Sequence, residues 1–202
     1  GLFVAGMLSK SIVVTLPVAI LIVLWWRSGR LTRADLTGVA PMLAAGFIIA
    51  AADTIRGRLY YPNPFVIPLT ERLLIAPRAF WWYLEKLVWP GEQMAIYPRF
   101  ASRAAGGVAL VAVVGAVAAL WALRDRIGRG PLAVFLYYGV TLAPVLGLIT
   151  FGFMQYSYVA DRFQYLASMA PLALLSSVGA AIAARGGRAV AVPAGVAGMA
   201  LV

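Results

Sequence analysis

The class of fold is decided by the stretch Ala104-Ala105-Gly106-Gly107-Val108-Ala109-Leu110-Val111-Ala112-Val113-Val114-Gly115-Ala116-Val117-Ala118-Ala119-Leu120-Trp121-Ala122-Leu123, which contains no charged side chain. A helix of this length extends for about 30 Å, which is the thickness of the hydrocarbon core of a bilayer. Arginines flank it on both sides. The stretch therefore predicts a transmembrane helix.

Further apolar runs lie on both sides of this stretch. They predict spans over residues 2–26, 36–54, 132–153 and 166–184, and a truncated one over 189–202. Lys10 and Pro17 interrupt the first run. Hydrophobic residues make up 63% of the 202 residues and charged residues 12%, against roughly 25% charged residues in an average soluble protein. We therefore expect an all-α fold, a polytopic transmembrane helix bundle that forms part of one membrane domain.

Arginines indicate the orientation of this predicted bundle. The linkers over residues 27–36, 124–130 and 185–188 hold eight arginines and two aspartates, and all three linkers fall on one side. By the positive-inside rule that side is cytoplasmic. Topology thus accounts for most of the net charge of +10, and nucleic acid is not expected as a partner. The composition predicts a multi-pass protein of a bacterial inner membrane.

The opposite, extracytoplasmic side receives residues 55–103, which are too apolar for an ordinary loop. Between Glu71 and Trp89 the charged residues fall on one arc of a helix. The opposite arc carries Leu73, Phe80, Leu84 and Leu87. This pattern predicts an amphipathic helix in the membrane interface. Pro77 is expected to start that helix or to divide it from a preceding turn.

A polar segment over residues 156–166 separates two apolar runs and contains Asp161-Arg162. Charges beside hydrocarbon are costly and are usually kept for a site or for helix packing. Arg162 could bind an anionic phosphate with Asp161 orienting it, or the two residues could form an ion pair that caps the fifth span. Lys10 is open to a similar choice between a functional role and snorkelling to the interface.

Two residue types are missing from the chain, since it contains neither cysteine nor histidine. Disulfides and thiolate chemistry are therefore excluded. General acid–base catalysis near neutral pH would need a carboxylate, a tyrosine or a lysine. No cluster of metal ligands is visible, so no cofactor is predicted, and dependence on a divalent metal stays open.

Several short motifs follow one another in a distinctive order: Leu8-Ser9-Lys10, Thr15-Leu16-Pro17, Glu71-Arg72-Leu73-Leu74, Pro77-Arg78, Tyr83-Leu84-Glu85-Lys86-Leu87-Val88-Trp89-Pro90, Tyr97-Pro98-Arg99, Leu142-Ala143-Pro144-Val145-Leu146-Gly147 and Ala160-Asp161-Arg162-Phe163-Gln164-Tyr165-Leu166. Together they resemble the membrane portion of the TMTC-type O-mannosyltransferases and their bacterial relatives. These are polytopic GT-C glycosyltransferases that usually carry C-terminal tetratricopeptide repeats. The resemblance covers nearly the whole chain, although Ser11 stands where relatives commonly have Glu.

The resemblance implies a GT-C-like bundle that transfers mannose or another hexose from a polyprenyl-phosphate donor to a protein or other hydroxyl acceptor. The transfer would take place on the extracytoplasmic face of the bilayer. The family's acidic catalytic residue lies in the first extracytoplasmic loop, upstream of the motifs present here. The catalytic residue is therefore unknown, and the chain is expected to be an internal fragment of the membrane domain.

A lipid-phosphate donor needs cations at the depth of the head groups, and the planar fork of arginine suits phosphate. The expected donor-phosphate ligands are Arg162, Arg78 and Arg99, supported by Asp161, Lys10 and Tyr165. Two other functions remain open. A transporter or flippase for lipid-linked sugars would be favoured by broken helices with inverted symmetry. A non-catalytic scaffold would use its membrane part only as an anchor.

Overall fold

The computed structural model describes residues 2–60, 67–89, 91, 94, 96–100, 103–148 and 152–186. All regular secondary structure in these residues is helical, which confirms the predicted all-α class. The α-helices are α1 Leu2–Ser9, α2 Leu16–Ser28, α3 Arg33–Tyr60, α4 Leu69–Val88, α5 Arg103–Ile127, α6 Gly130–Leu142 and α7 Met169–Gly186. Short 3₁₀ helices cover Ser11–Thr15, Ala143–Val145, Gly152–Gln155 and Asp161–Phe163. The predicted span over 189–202 lies outside the described residues.

Helices α3 and α5 contain the predicted spans 36–54 and 104–123. Within the described residues, they are the two helices long and apolar enough to cross a membrane, over Arg33–Arg56 and Ala104–Ile127. Only 6% of the apolar window of α5 is buried in the protein, and Val108 and Val111 are more than 70% exposed. A continuous apolar surface of this kind marks an interaction with a membrane or a partner rather than with water. These helices support an association with membrane.

The first predicted span, 2–26, is not one continuous helix. Helix α1 ends at Ser9, and Lys10 takes an extended conformation with φ −154° and ψ 118°. The 3₁₀ helix Ser11–Thr15 follows, and α2 begins at Leu16 with Pro17 in its first turn. Proline lacks an N–H and has a fixed φ that suits the first turn of a helix. Pro17 therefore starts a new helix instead of continuing α1.

The predicted span over 132–153 is not one continuous helix, because α6 ends at Leu142. A 3₁₀ helix over Ala143–Val145 contains Pro144, and Gly147 follows with a left-handed φ of 90°. Proline removes a helical hydrogen bond, and the left-handed region strongly favours glycine. The turn is therefore encoded in the sequence Pro144-Val145-Leu146-Gly147.

The placement of Pro77 at the start of an interfacial helix is wrong. Helix α4 begins at Leu69 and continues through Pro77 to Val88. A proline inside a helix costs about 3 kcal/mol or more. Pro77 lies among buried neighbours, and the burial of Phe80 and Tyr83 contributes about 1.5–3 kcal/mol each. Tertiary packing therefore holds α4 together across its proline.

The buried side of α4 differs from the predicted one. Leu73 is 48% exposed, whereas the buried residues are Ile75, Ala76, Pro77, Ala79, Phe80 and Tyr83. The Phe80 ring packs on Phe135 and Tyr138 of α6, with ring centroids 5.0 Å and 5.2 Å away. The predicted apolar arc is the one that an interfacial helix would turn towards lipid, but α4 packs partly against other helices. Its orientation in an interface stays a prediction.

Helix α5 packs against another side of α4. The indole Nε1 of Trp81 donates a hydrogen bond to the Ala109 carbonyl at 3.1 Å. The backbones approach so closely that a Cβ atom on Gly106 would lie 2.6 Å from the Leu74 carbonyl oxygen. Helix α4 is thus fixed between α5 and α6. This position carries Tyr83 to the segment that contains Asp161.

Candidate functional site

Asp161 is the carboxylate at the centre of the candidate site. It begins the 3₁₀ helix Asp161–Phe163 and follows Ala160, whose backbone is extended. The Tyr97 hydroxyl donates to Asp161 Oδ2 at 2.6 Å and accepts a hydrogen bond from the Met94 N–H at 2.9 Å. A short hydrogen bond to an ionised oxygen is among the stronger polar interactions in proteins. Tyr97 therefore fixes the orientation of the carboxylate.

Ser157 joins the two segments that supply Tyr97 and Asp161. It is fully buried, and its Oγ accepts a hydrogen bond from the Tyr97 N–H at 3.2 Å. The same hydroxyl donates to the Val159 carbonyl at 2.8 Å. Buried polar groups need such partners because an unpaired one loses its hydration. Ser157 thus aligns the segment around Tyr97 with the one leading to Asp161.

Tyr83 holds the backbone immediately before Asp161. Its ring is fully buried, and its hydroxyl accepts a hydrogen bond from the Ala160 N–H at 3.0 Å. Burial raises the pKa of the Tyr83 phenol, and the nearby charge of Asp161 raises it further. Burial and the hydrogen bond to Asp161 raise the pKa of Tyr97 in the same way. Both phenols are therefore neutral near pH 7 and act as hydrogen-bonding groups.

The positive charge of Lys86 lies close to Tyr97. Its Nζ lies 5.5 Å from the centroid of the Tyr97 ring and 5.7 Å from that of Trp82. The Trp82 and Tyr97 rings are themselves in edge-to-face contact at 4.6 Å. Distances below about 6 Å allow a cation–π attraction. One tyrosine therefore has a carboxylate at its hydroxyl and an ammonium group on its ring.

Arg162 lies next to Asp161 in sequence but does not pair with it. Both residues belong to the described part of the chain, and no ion pair joins them. The exposed guanidinium of Arg162 lies over Phe153 at 4.8 Å and Phe163 at 5.2 Å. The alternative, in which an Asp161–Arg162 ion pair caps the predicted span over 166–184, is also wrong, because α7 begins only at Met169. Asp161 therefore does not orient the Arg162 guanidinium through an ion pair.

Arg78 and Arg99 are both anchored to the segment around Tyr97. The Arg78 Cζ lies 4.5 Å from the centroid of the Phe100 ring. The Arg99 guanidinium donates a hydrogen bond to the Gln155 carbonyl. Part of the hydrogen-bonding capacity of Arg99 is thus used to hold the loop before Tyr156. The planar, always charged guanidinium of Arg78 is of the type that suits a phosphate.

Two predicted supporting residues, Lys10 and Tyr165, meet in the structure. The Lys10 Nζ lies 4.5 Å from the centroid of the Tyr165 ring. The contact joins residues from opposite ends of the chain, and both side chains are exposed. The extended backbone at Lys10 places this ammonium group where α1 and α2 are interrupted. A cation and an aromatic ring therefore meet at this helix break.

Sequence reasoning named Asp161 and the cations as candidates, but it missed the residues that hold Asp161 in place. Tyr97, Tyr83 and Ser157 were not predicted as site residues. Tyr97 belongs to the motif Tyr97-Pro98-Arg99, from which only Arg99 was predicted as a site residue. Within the described residues, no group of three or more acidic, histidine or cysteine side chains is arranged to hold a metal ion.

No known protein family, no curated protein and no solved structure matches this chain. The resemblance to the TMTC-type transferases therefore stays a prediction. The function has to be inferred from the site itself and from the helices that carry it.

Proposed function

We propose that the chain is part of a GT-C-like, multi-pass membrane glycosyltransferase. It would move a hexose, such as mannose, from a polyprenyl-phosphate donor to a protein or other hydroxyl acceptor on the extracytoplasmic face. The observation that carries the proposal is the carboxylate of Asp161, which accepts a hydrogen bond from Tyr97 while Tyr83 holds the backbone before it. Lys86 lies over the Tyr97 ring, and Arg162 lies over Phe153.

The cations suit the phosphate of such a donor. Arg162 is exposed, and it forms no hydrogen bond or ion pair with another described residue. The N–H groups of a guanidinium lie in its own plane, and their fork can bind phosphate oxygens bidentately. Arg162 is therefore the principal phosphate ligand of the proposal. Arg78 and Arg99 assist from the segment around Tyr97, and Lys10 assists from the helix break.

An apolar groove between α2 and α6 suits the tail of the donor. Its volume is about 200 Å³, and it is lined by Leu16, Ala19, Ile20, Val23, Leu24 and Tyr137. The groove begins where the 3₁₀ helix after Lys10 ends. At a 3₁₀ rise of about 2 Å per residue, the Lys10 backbone lies roughly 10 Å from the start of the groove. A lipid phosphate bound near Lys10 could therefore place its isoprenoid chain along α2.

Asp161 acts as a positioning group in this proposal. Tyr97 occupies its Oδ2 atom, while Oδ1 accepts no hydrogen bond from the residues that the structure describes. That oxygen is suited to accept a hydrogen bond from a sugar or acceptor hydroxyl. The carbonyl oxygen of the Gln164 side chain is buried and likewise has no partner among the described residues. The catalytic base remains unassigned, as the resemblance implies.

A transporter or flippase for lipid-linked sugars is the second candidate. The interruption between α1 and α2 at Lys10 favours it, because transporters place charged binding groups at breaks in membrane helices. The two functions differ in outcome. A transferase forms a new glycosidic bond on an acceptor, whereas a flippase moves an unchanged donor across the bilayer.

The test uses membranes that contain the full-length protein and radiolabelled polyprenyl-phosphate mannose. Wild type should transfer label to protein, and Arg162→Ala and Arg78→Ala should raise the KM for the donor about tenfold, the equivalent of about 1.4 kcal/mol. Arg126→Ala removes an exposed arginine from the opposite predicted side and should leave the KM unchanged. If wild type transfers nothing from any polyprenyl-phosphate sugar yet flips a labelled donor, the transferase is refuted and the transporter is supported.

A further inference from the structure

Two connections of the chain meet at a point remote from Asp161. The Trp25 ring near the end of α2 stacks on Trp121 of α5, with ring centroids 6.2 Å apart and ring planes within 3°. Gly29 ends α2 with a left-handed φ of 75°. The Arg129 guanidinium lies directly against it, since a Cβ atom on Gly29 would be 1.7 Å from Arg129 Nη1. The connection between α2 and α3 therefore packs on the one between α5 and α6.

This meeting point concentrates positive charge. We call it the arginine face, and its residues are Arg27, Arg30, Arg33, Arg124, Arg126 and Arg129. With the two aspartates of the same segments counted, six arginines and two aspartates leave a net formal charge of +4. Asp35 is bonded to the Thr32 N–H at 2.8 Å and to the Thr32 hydroxyl at 2.7 Å, which caps the start of α3. Asp125 lies 3.8 Å from its neighbour Arg124 and is itself largely exposed.

Apolar side chains border the arginine face. Trp26 and Trp121 are each about half exposed, and so is Ile127. The Arg124 guanidinium lies 4.0 Å above the Trp121 ring. Helix α5 continues from here as an exposed apolar helix with a mean hydropathy of 2.3. Tryptophan beside arginine at the end of such a helix is typical of the head-group layer of a membrane.

We propose that the arginine face binds the phosphate of an anionic phospholipid, with Arg129 and Arg30 as its principal ligands. The exposed tryptophans and the turns of α5 that precede Trp121 contact the acyl chains of the same lipid. Basic pockets between membrane helices are suited to such head groups. The exposed apolar rings beside the arginines favour a lipid over a free phosphate or an acidic peptide. The inference does not rest on the proposed sugar transfer.

The experiment measures lipid binding to the purified chain in neutral detergent by native mass spectrometry, with phosphatidylglycerol and phosphatidylcholine as the probes. Phosphatidylglycerol should bind tighter, and its affinity should fall as salt is raised. Arg129→Gln should weaken it about fivefold, the equivalent of about 1 kcal/mol for one arginine at a membrane surface. Adding Arg30→Gln should weaken it about fivefold again.

The matched control is Arg56→Gln, which removes one exposed arginine near the far end of α3, roughly 35 Å along the helix from Arg33. It should leave phosphatidylglycerol binding unchanged. Arg129→Lys keeps the charge, and should retain more affinity than Arg129→Gln. The proposal is overturned if both lipids bind equally, if Arg56→Gln weakens binding as much as Arg129→Gln, or if inorganic phosphate displaces the lipid.

Discussion

The hydrogen bond between Tyr97 and Asp161 can be tested by removing its two ends separately and together. Tyr97→Phe deletes the hydroxyl that donates to Asp161 Oδ2 at 2.6 Å. It keeps the ring, which packs on Trp82 and is only 8% exposed. Asp161→Ala deletes the acceptor. The coupling between the two changes isolates this one interaction, because the effects of each residue on its other neighbours cancel in the cycle.

The expected coupling follows from the surroundings of the bond. A hydrogen bond to a charged group contributes about 1.5–3 kcal/mol to stability. Asp161 is partly exposed to solvent, and solvent screening lowers the expected value to the bottom of this range or slightly below it, about 1–1.5 kcal/mol. Tyr97→Phe alone should cost more than the coupling, since it also leaves the Met94 N–H without its acceptor.

The assay is reversible unfolding of the four proteins in mixed micelles, followed by circular dichroism. Tyr156→Phe is the matched control, because it removes the same hydroxyl from a ring that is 59% exposed, and it should change the free energy of unfolding by less than about 0.5 kcal/mol. A coupling below about 0.3 kcal/mol, which is within ordinary additivity, would refute the argument that Tyr97 fixes the carboxylate.

Two further predictions concern packing and pH. Gly106→Ala should destabilise the protein by about 1–3 kcal/mol, because its Cβ would lie 2.6 Å from the Leu74 carbonyl oxygen. Gly107→Ala points into open space and should be neutral or stabilising, so equal unfolding midpoints would contradict the close contact of α4 with α5. Burial raises the pKa values of Tyr83, Tyr97 and Tyr158 above those of the unfolded chain. The contribution of each neutral phenol to stability should therefore be fully present below about pH 10 and be lost above it, by about 1.4 kcal/mol per pH unit until the folded-state pKa is reached. Unfolding free energies measured across alkaline pH check this, and a decline that is no shallower in Tyr83→Phe would contradict the contribution of that phenol.

The helices were predictable where neighbouring residues alone determine the structure. Helix α5 follows directly from an uncharged apolar run, and it ends at Ile127 because Gly128 takes a φ of 82°. Prolines were harder to interpret. Pro17 starts a helix and Pro144 helps to end one, whereas Pro77 lies inside α4. Local sequence does not reveal whether tertiary packing will compensate for a proline, since that depends on which neighbours become buried.

The site was predictable only in part, for a related reason. Asp161 and Arg162 stand out because charges are rare between apolar runs. The hydrogen-bond partner of Asp161 is Tyr97, which lies 64 residues away in sequence. Tyr83 accepts a hydrogen bond from the N–H of Ala160, which is 77 residues away. No periodic pattern connects positions so distant. The prediction that Asp161 orients Arg162 assumed that neighbours in sequence pair, but aromatic rings hold Arg162 instead.

The break at Lys10 links the fold to the proposed function more closely than any other feature. An interrupted helix frees backbone groups, which membrane proteins tolerate only where protein or a water-filled cavity surrounds them. Here the Lys10 N–H donates to the Gly6 carbonyl at 2.8 Å, and the Thr15 hydroxyl donates to the Ile12 carbonyl at 2.9 Å. The break is therefore locally satisfied, and Ile12 and Thr15 are buried within the protein. Its consequence is that the Lys10 ammonium group lies beside Tyr165, with its backbone roughly 10 Å from the start of the apolar groove along α2. In the proposed function, a lipid-linked anion would pair with this ammonium group while its apolar tail lies in the groove.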